Sequence, residues 1–250
     1  KSFNLLREKV FSHVQPECPT ILLVLDNLRF DQWKVIEPIL LERFKLQNED
    51  YFFSILPTAT QYSRNAIFAG MMPADIEKQF PQYWVGDIEE GGKNNFEAEL
   101  LAAQIKKVFR RDIKHEYFKI TQVQAARQLQ DNIFNCLNND LTVIVYNFID
   151  MLSHARTEME VLKELAGDEK AYRSLTRSWF ANSPLWAALE RVSEKDVKLI
   201  ITTDHGTIRV NTPVKVVGDR ETTSNLRYKV GKNLQYDKKN VLELKDPGQA

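Results

Sequence analysis

Ile21-Leu22-Leu23-Val24-Leu25-Asp26 is an apolar run of strand composition that ends on a carboxylate. The same arrangement recurs downstream: Leu141 to Tyr146 leads to Asp150, and Val197 to Thr203 leads to Asp204. A fourth apolar run, residues 51–56, leads through Pro57-Thr58-Ala59 to Thr60 and reads as a strand that ends in a turn. Segments of helical period lie between these runs. Such alternation is the signature of an α/β fold with a mostly parallel sheet and helices on both faces. In open α/β sheets the ligand crevice lies beyond the carboxyl ends of the strands, so four distant strand ends are expected to converge there.

The intervening helices have readable limits. Gln61 to Ala69 is bounded by Gly70 and Pro73, which places Thr60 at the N-cap. Pro38 fits the first position of a helix carrying Leu40, Leu41 and Phe44. Leu101, Ile105, Val108 and Phe109 keep helical spacing ahead of a strand over 117–120. Thr121 suits the cap of the next helix, with Leu129, Ile133 and Cys136 on one face, and Ser183-Pro184 opens another. Residues 81–95 read as a surface loop near the Thr60 helix. Residues 156–177 read as helix and loop across the site opening, and the chain after Gly206 as a small β-rich edge or cap.

Composition narrows the function classes. Lys+Arg and Asp+Glu are both 34, so no global field draws in long nucleic acid or an anionic membrane, and phosphate affinity must be local. Cys18 and Cys136 have neither metal-pair nor redox spacing. Free buried thiols suit a reducing, cytoplasmic setting. No apolar run approaches the length of a membrane span. Residues 1–20 read as the end of a preceding helical linker and 21–250 as the domain.

Chemistry concentrates at the strand ends. Asp150-Met151-Leu152-Ser153-His154 and Asp204-His205 hold two of the four histidines, each beside a carboxylate, and both ligand types suit zinc. Thr60 presents a hydroxyl at a helix N-terminus, where unpaired N–H groups favour phosphate, and Arg64 follows one turn on. Capping alone would also explain a threonine there. The chain lacks a Gly-Lys-Ser/Thr phosphate loop, a Gly-x-Gly-x-x-Gly turn and a Gly-x-Ser-x-Gly elbow. Metal-supported chemistry on a hydroxyl remains.

Pro57-Thr58-Ala59-Thr60, Gly70-Met71-Met72-Pro73, Asp26, Asp150 with His154, and Asp204-His205-Gly206 together resemble the alkaline phosphatase superfamily, in the order of its phosphodiesterase branch. Within it, residues 25–33 (Leu-Asp-Asn-Leu-Arg-Phe-Asp-Gln-Trp) resemble the PglZ domain of the kind found in PorX-type response regulators, which are connected with type IX secretion. The resemblance implies two zinc ions, one held by Asp26, Thr60, Asp204 and His205 and the other by Asp150 and His154, with Thr60 as nucleophile. It implies Arg64 as a phosphate contact. Asn27 either orients ligands or substrate or marks the strand-end turn. A second-site histidine normally found far downstream has no counterpart after His205, and the expectation is that it lies beyond Ala250.

The implied activity is a zinc-dependent phosphodiesterase on a small nucleotide-type phosphodiester or short oligonucleotide, serving as the output domain of a two-component response regulator. Signalling and secretion-system proteins, and a second copy of the chain, are the implied partners. The alternative is a metal-containing module that senses a phosphorylated ligand or docks a partner. A phosphomonoesterase on the same site would differ only in substrate.

Overall fold

The computed structural model describes residues 1–87, 92–223 and 225–244. The middle of the expected 81–95 loop, residues 88–91, lies outside the described residues. In chain order the first elements are β1 (Thr20–Leu25), α1 (Phe30–Leu40), α2 (Thr60–Ala69), α3 (Pro73–Gln79) and α4 (Glu97–Val108). Then follow β2 (His115–Ile120), α5 (Val123–Asn132), β3 (Leu141–Tyr146) and α6 (Phe148–Glu158). The last are α7 (Glu160–Leu165), α8 (Glu169–Ala181), α9 (Pro184–Val192) and β4 (Lys198–Thr202). They fall into two compact units, one of Arg7–Tyr51 and Phe109–Gly206, the other of Lys1–Leu6, Phe52–Val108 and Thr207–Ala250.

The first unit contains the expected α/β sheet, four strands in the order β2-β3-β1-β4, all parallel. The two central strands, β1 and β3, are buried at every position. This is why both read as unbroken apolar runs: with both faces covered there is no solvent side to mark with polar residues. One face of β1, through Ile21, Leu23 and Leu25, packs into a core with Ile36 and Ile39 of α1, Leu129 of α5 and Leu185, Ala188 and Leu189 of α9. Leu25 pairs with Tyr146 and Val24 with Thr202. Extending that register places Asp26 level with Asn147 on one side and Asp204 on the other. The parallel arrangement therefore delivers three strand ends to one edge of the sheet.

Local signals explain most helix limits. Ser183 caps α9, accepting from the Trp186 N–H at 3.0 Å, with Pro184 at the first helical position. Pro38, by contrast, lies inside α1 rather than at its start. The start is fixed earlier, where Gln32 Oε1 accepts the Arg29 N–H at 3.1 Å, and α1 ends two residues after Pro38, so only its last turn bears the missing donor. The cap of α5 is Gln122, not Thr121.

In the second unit α2 ends on Gly70, whose φ of 65° is left-handed and whose N–H returns to Ala66 O at 3.0 Å. A Cβ there would collide with the Gln104 side chain. Two expectations of strand are corrected here. Residues 51–56 form no strand: Tyr51 and Phe53 are about four-fifths exposed, and only Ile55 is buried. Apolar composition records the capacity to pair, but a strand also needs a partner edge. After Gly206 the described residues carry a single isolated bridge, Val217 with Gln235, instead of a β-rich cap. Leu226 there is almost wholly exposed, and these short runs are broken by charged turns that leave no continuous apolar face to bury. Among the described residues no helix is long and apolar enough to cross a membrane. Cys136 is buried and Cys18 only half-buried, and both are free thiols.

Candidate metal centre

Asp26 follows the last residue of β1, and its N–H continues the sheet by donating to Tyr146 O at 3.0 Å. Asn27 then adopts φ 62°, a left-handed turn that asparagine tolerates better than most residues. That turn aims the Asn27 N–H at Asp204 Oδ1, 3.1 Å away, and the same oxygen accepts the His205 N–H at 2.9 Å. A second latch ties the same two loops together. Thr203 Oγ1 accepts the Leu28 N–H at 3.1 Å and donates to His205 O at 2.8 Å.

These contacts gather Asp26, Asp204 and His205, all buried, with one ligand atom from each lying within 4.8 Å of the others. His205 Nε2 stands 3.8 Å from Asp26 Oδ1 and 3.8 Å from Asp204 Oδ2. Its Nδ1 faces Gly206 O at 3.4 Å. With the proton on Nδ1, which that carbonyl would accept, the lone pair of Nε2 faces the carboxylates. Two carboxylates brought together out of water demand a compensating cation, and an imidazole presenting a lone pair is a metal ligand. The donor set fits a divalent ion.

Asp150 and His154 lie at the neighbouring strand end. Asp150 is in the first turn of α6, where a carboxylate suits the helix dipole, and His154 follows one turn later on the same face. Their nearest atoms, Asp150 Oδ2 and His154 Nε2, are 3.5 Å apart, and the histidine side chain is 69% exposed. Asn27 reaches this pair too, its Nδ2 donating to Asp150 Oδ1 at 3.1 Å. One residue thus touches Asp204 through its backbone and Asp150 through its side chain.

Sequence reasoning missed a charged cluster that braces this end of the unit. Arg29 pairs with Asp31 at 2.5 Å and with Glu169. Arg156 of α6 pairs with Glu169 at 3.1 Å and lies over the Tyr172 ring at 4.5 Å, while Arg173 reaches Asp31 at 3.1 Å. Hydrogen bonds from Arg29 hold the Asp31 carboxyl below its usual range. Burial pushes Glu169 up, and its pairs with Arg29 and Arg156 more than offset this, leaving it lowered. The available signal was Arg29 and Asp31 standing within the motif at 25–33. Residues 156–177 form helix and short loop as expected, namely the end of α6, then α7 and most of α8, of which α8 packs on α1.

Thr60 and Arg64 belong to the other unit. Thr60 is the first residue of α2, and the cap position falls on Ala59, whose backbone is extended and whose carbonyl accepts the Ser63 N–H at 2.9 Å. Asn94 Nδ2 donates to Thr60 O at 3.2 Å, and Gln61 Nε2 to Val85 O at 2.8 Å, so the described parts of the 81–95 loop do lie against α2. Arg64 is buried, with its Nε on Glu97 of α4. That ion pair engages the guanidinium inside the unit.

A family model described as the BREX system PglZ alkaline phosphatase-like domain matches residues 5–250, nearly the whole sequence. The chain belongs to the PglZ family. The expected superfamily is thereby borne out, and with it the α/β architecture. PglZ domains of this description are alkaline phosphatase-like, which places the chain in a superfamily of hydrolases. No curated protein matches the chain.

Proposed function

We propose that this PglZ domain is a metal-dependent phosphodiester hydrolase. The observation that carries the reading is the buried group Asp26, Asp204 and His205, whose ligand atoms converge within 4.8 Å. Asp26, Asp204 and His205 would hold one divalent ion, and Asp150 with His154 would contribute to a second. Zinc is the proposed metal at the first position, where carboxylate and imidazole donors suit it. Ions so held lower the pKa of a hydroxyl or water and stabilise charge on the phosphoryl oxygens.

The protein's own residues supply the rest. Thr60 is proposed as the nucleophile: its Oγ forms a bond to phosphorus as the leaving alcohol departs, and water then releases the phosphoryl group from Oγ. Gly206 O would favour the His205 tautomer that leaves Nε2 free to bind, and the Asn27 and His205 N–H groups keep Asp204 in place. The proposed substrate is a small nucleotide-type phosphodiester, and the proposed setting is an output domain responding to a partner. PglZ domains are described as parts of BREX systems, and a BREX assembly is a second candidate setting beside a response regulator.

The test is hydrolysis of a bis-aryl phosphate and its mono-aryl counterpart in zinc buffer by the wild-type chain, Asp204→Asn and Thr60→Ala. Turnover of the diester should fall on the order of a thousandfold or more in both variants, as for other members of a catalytic unit. Full turnover by Thr60→Ala removes that residue from the mechanism. Zinc binding without turnover by the wild-type chain would instead favour a sensing or docking module.

A further inference from the structure

Asn27 is 1% exposed, yet its side-chain oxygen has no hydrogen-bond partner among the described residues. Leaving a buried carbonyl oxygen unmet is costly, so such an atom calls for an explanation. The other end of the same amide donates to Asp150 Oδ1 at 3.1 Å. Asp150 in turn stands 3.5 Å from His154, and this half-site is open enough for an ion to enter, since the Asp150 side chain is 22% exposed and that of His154 69%.

A half-turn of the amide exchanges Oδ1 with Nδ2 and puts a carbonyl oxygen where the nitrogen stands, 3.1 Å from Asp150 Oδ1. Two oxygens at that separation repel each other unless a cation lies between them. About 3 Å is also the spacing of adjacent ligands around one divalent ion with metal–oxygen bonds near 2.1 Å. The Asn27 NH₂ group thus occupies the position of a cation against the carboxylate.

We propose that Asn27 is a protein ligand of the second ion: on metal binding its amide turns, and Oδ1 joins Asp150 and His154. This rests on the two-ion reading above. Carboxylate and amide carbonyl oxygens are donors that manganese accepts, so Mn²⁺ is the probe chosen for the second position. The backbone of the same residue holds Asp204, so Asn27 couples the two ion positions through one peptide unit.

The experiment counts Mn²⁺ bound per chain, by spin-resonance titration and elemental analysis, in the wild type, Asn27→Gly, Asn27→Asp and Asp204→Asn. Glycine accepts the φ of 62° and keeps the N–H to Asp204, so it removes the side chain alone. Metal-free melting curves of the variants check that each is folded. The expected result is two ions for the wild type, with the weaker ion bound about tenfold or more less tightly in Asn27→Gly, the scale of loss seen even for residues that only support a ligand. Asn27→Asp, which keeps an oxygen, should bind the weaker ion at least as tightly as the wild type. Wild-type affinity for both ions in Asn27→Gly overturns the proposal and assigns the unmet oxygen to water, and a single ion in the wild type overturns it as well. In either case loss of the tighter ion in Asp204→Asn leaves the first-ion reading standing. Absence of any bound ion in the wild type removes both.

Discussion

Asp204 and Asp150 are both carboxylates delivered from the end of a parallel strand, yet the protein holds them in opposite ways. Asp204 is buried and fixed by two backbone N–H groups, beside a histidine that is itself buried. Asp150 is partly exposed, and its neighbours are two side chains, Asn27 and the exposed His154. Backbone donors lose little entropy when they bind, whereas side-chain partners must be ordered first. The first group is therefore preorganised for an ion and the second is adaptable. In many two-ion sites one ion stays while the other responds to conditions, and this contrast supplies a physical basis for such behaviour here.

The largest effect expected from that contrast is on ion-linked stability. Zinc at about a hundred times its Kd should stabilise the fold by about 2.7 kcal/mol, measured by urea denaturation with and without metal. Asp204→Asn should abolish this gain and His154→Ala should leave most of it, and graded chelation should remove the Asp150–His154 ion first. Equal losses from the two substitutions would erase the distinction between the two groups.

Next in size is the latch behind the buried group. Thr203→Val removes the acceptor of the Leu28 N–H and the donor to His205 O together, and should destabilise the metal-free chain by about 1–2 kcal/mol. Smaller again is an acid limb from the brace between α1, α6 and α8. Asp31 and Glu169 sit below their ordinary values of 3.8 and 4.5 in the folded chain, so their stabilisation is complete above that range. It is lost as pH falls from there through the lower folded values. Melting temperature should be flat from neutrality to about pH 5 and fall below it, and Arg29→Gln, which removes the shared partner, should flatten the fall. The smallest expected effect is that of His154→Ala on the metal-free chain, within about 0.5 kcal/mol, as for other exposed positions. A larger cost would mean that the second group is preorganised too.

The sequence alone determined the three acid-bearing strands of the sheet and the carboxylates beyond them. Residues 21–25 and 141–146 announce central parallel strands because burial on both faces leaves almost no polar position, and 198–202, the half-buried edge strand, keeps an apolar centre of Leu199, Ile200 and Ile201. Asp26 follows directly, as the residue after β1, and Asp204 and Asp150 lie two and four residues past the ends of β4 and β3. Only the tertiary structure decided where pairing partners exist, which is why residues 51–56 carry strand composition without forming a strand. It also decided which strands are adjacent, and so that Asp204 meets Asp26 across the β1–β4 register. The bond from the Asn27 N–H to Asp204, the Thr203 latch and the engagement of Arg64 by Glu97 are likewise long-range outcomes. Each joins residues far apart in the chain, and composition and period carry information only about near neighbours.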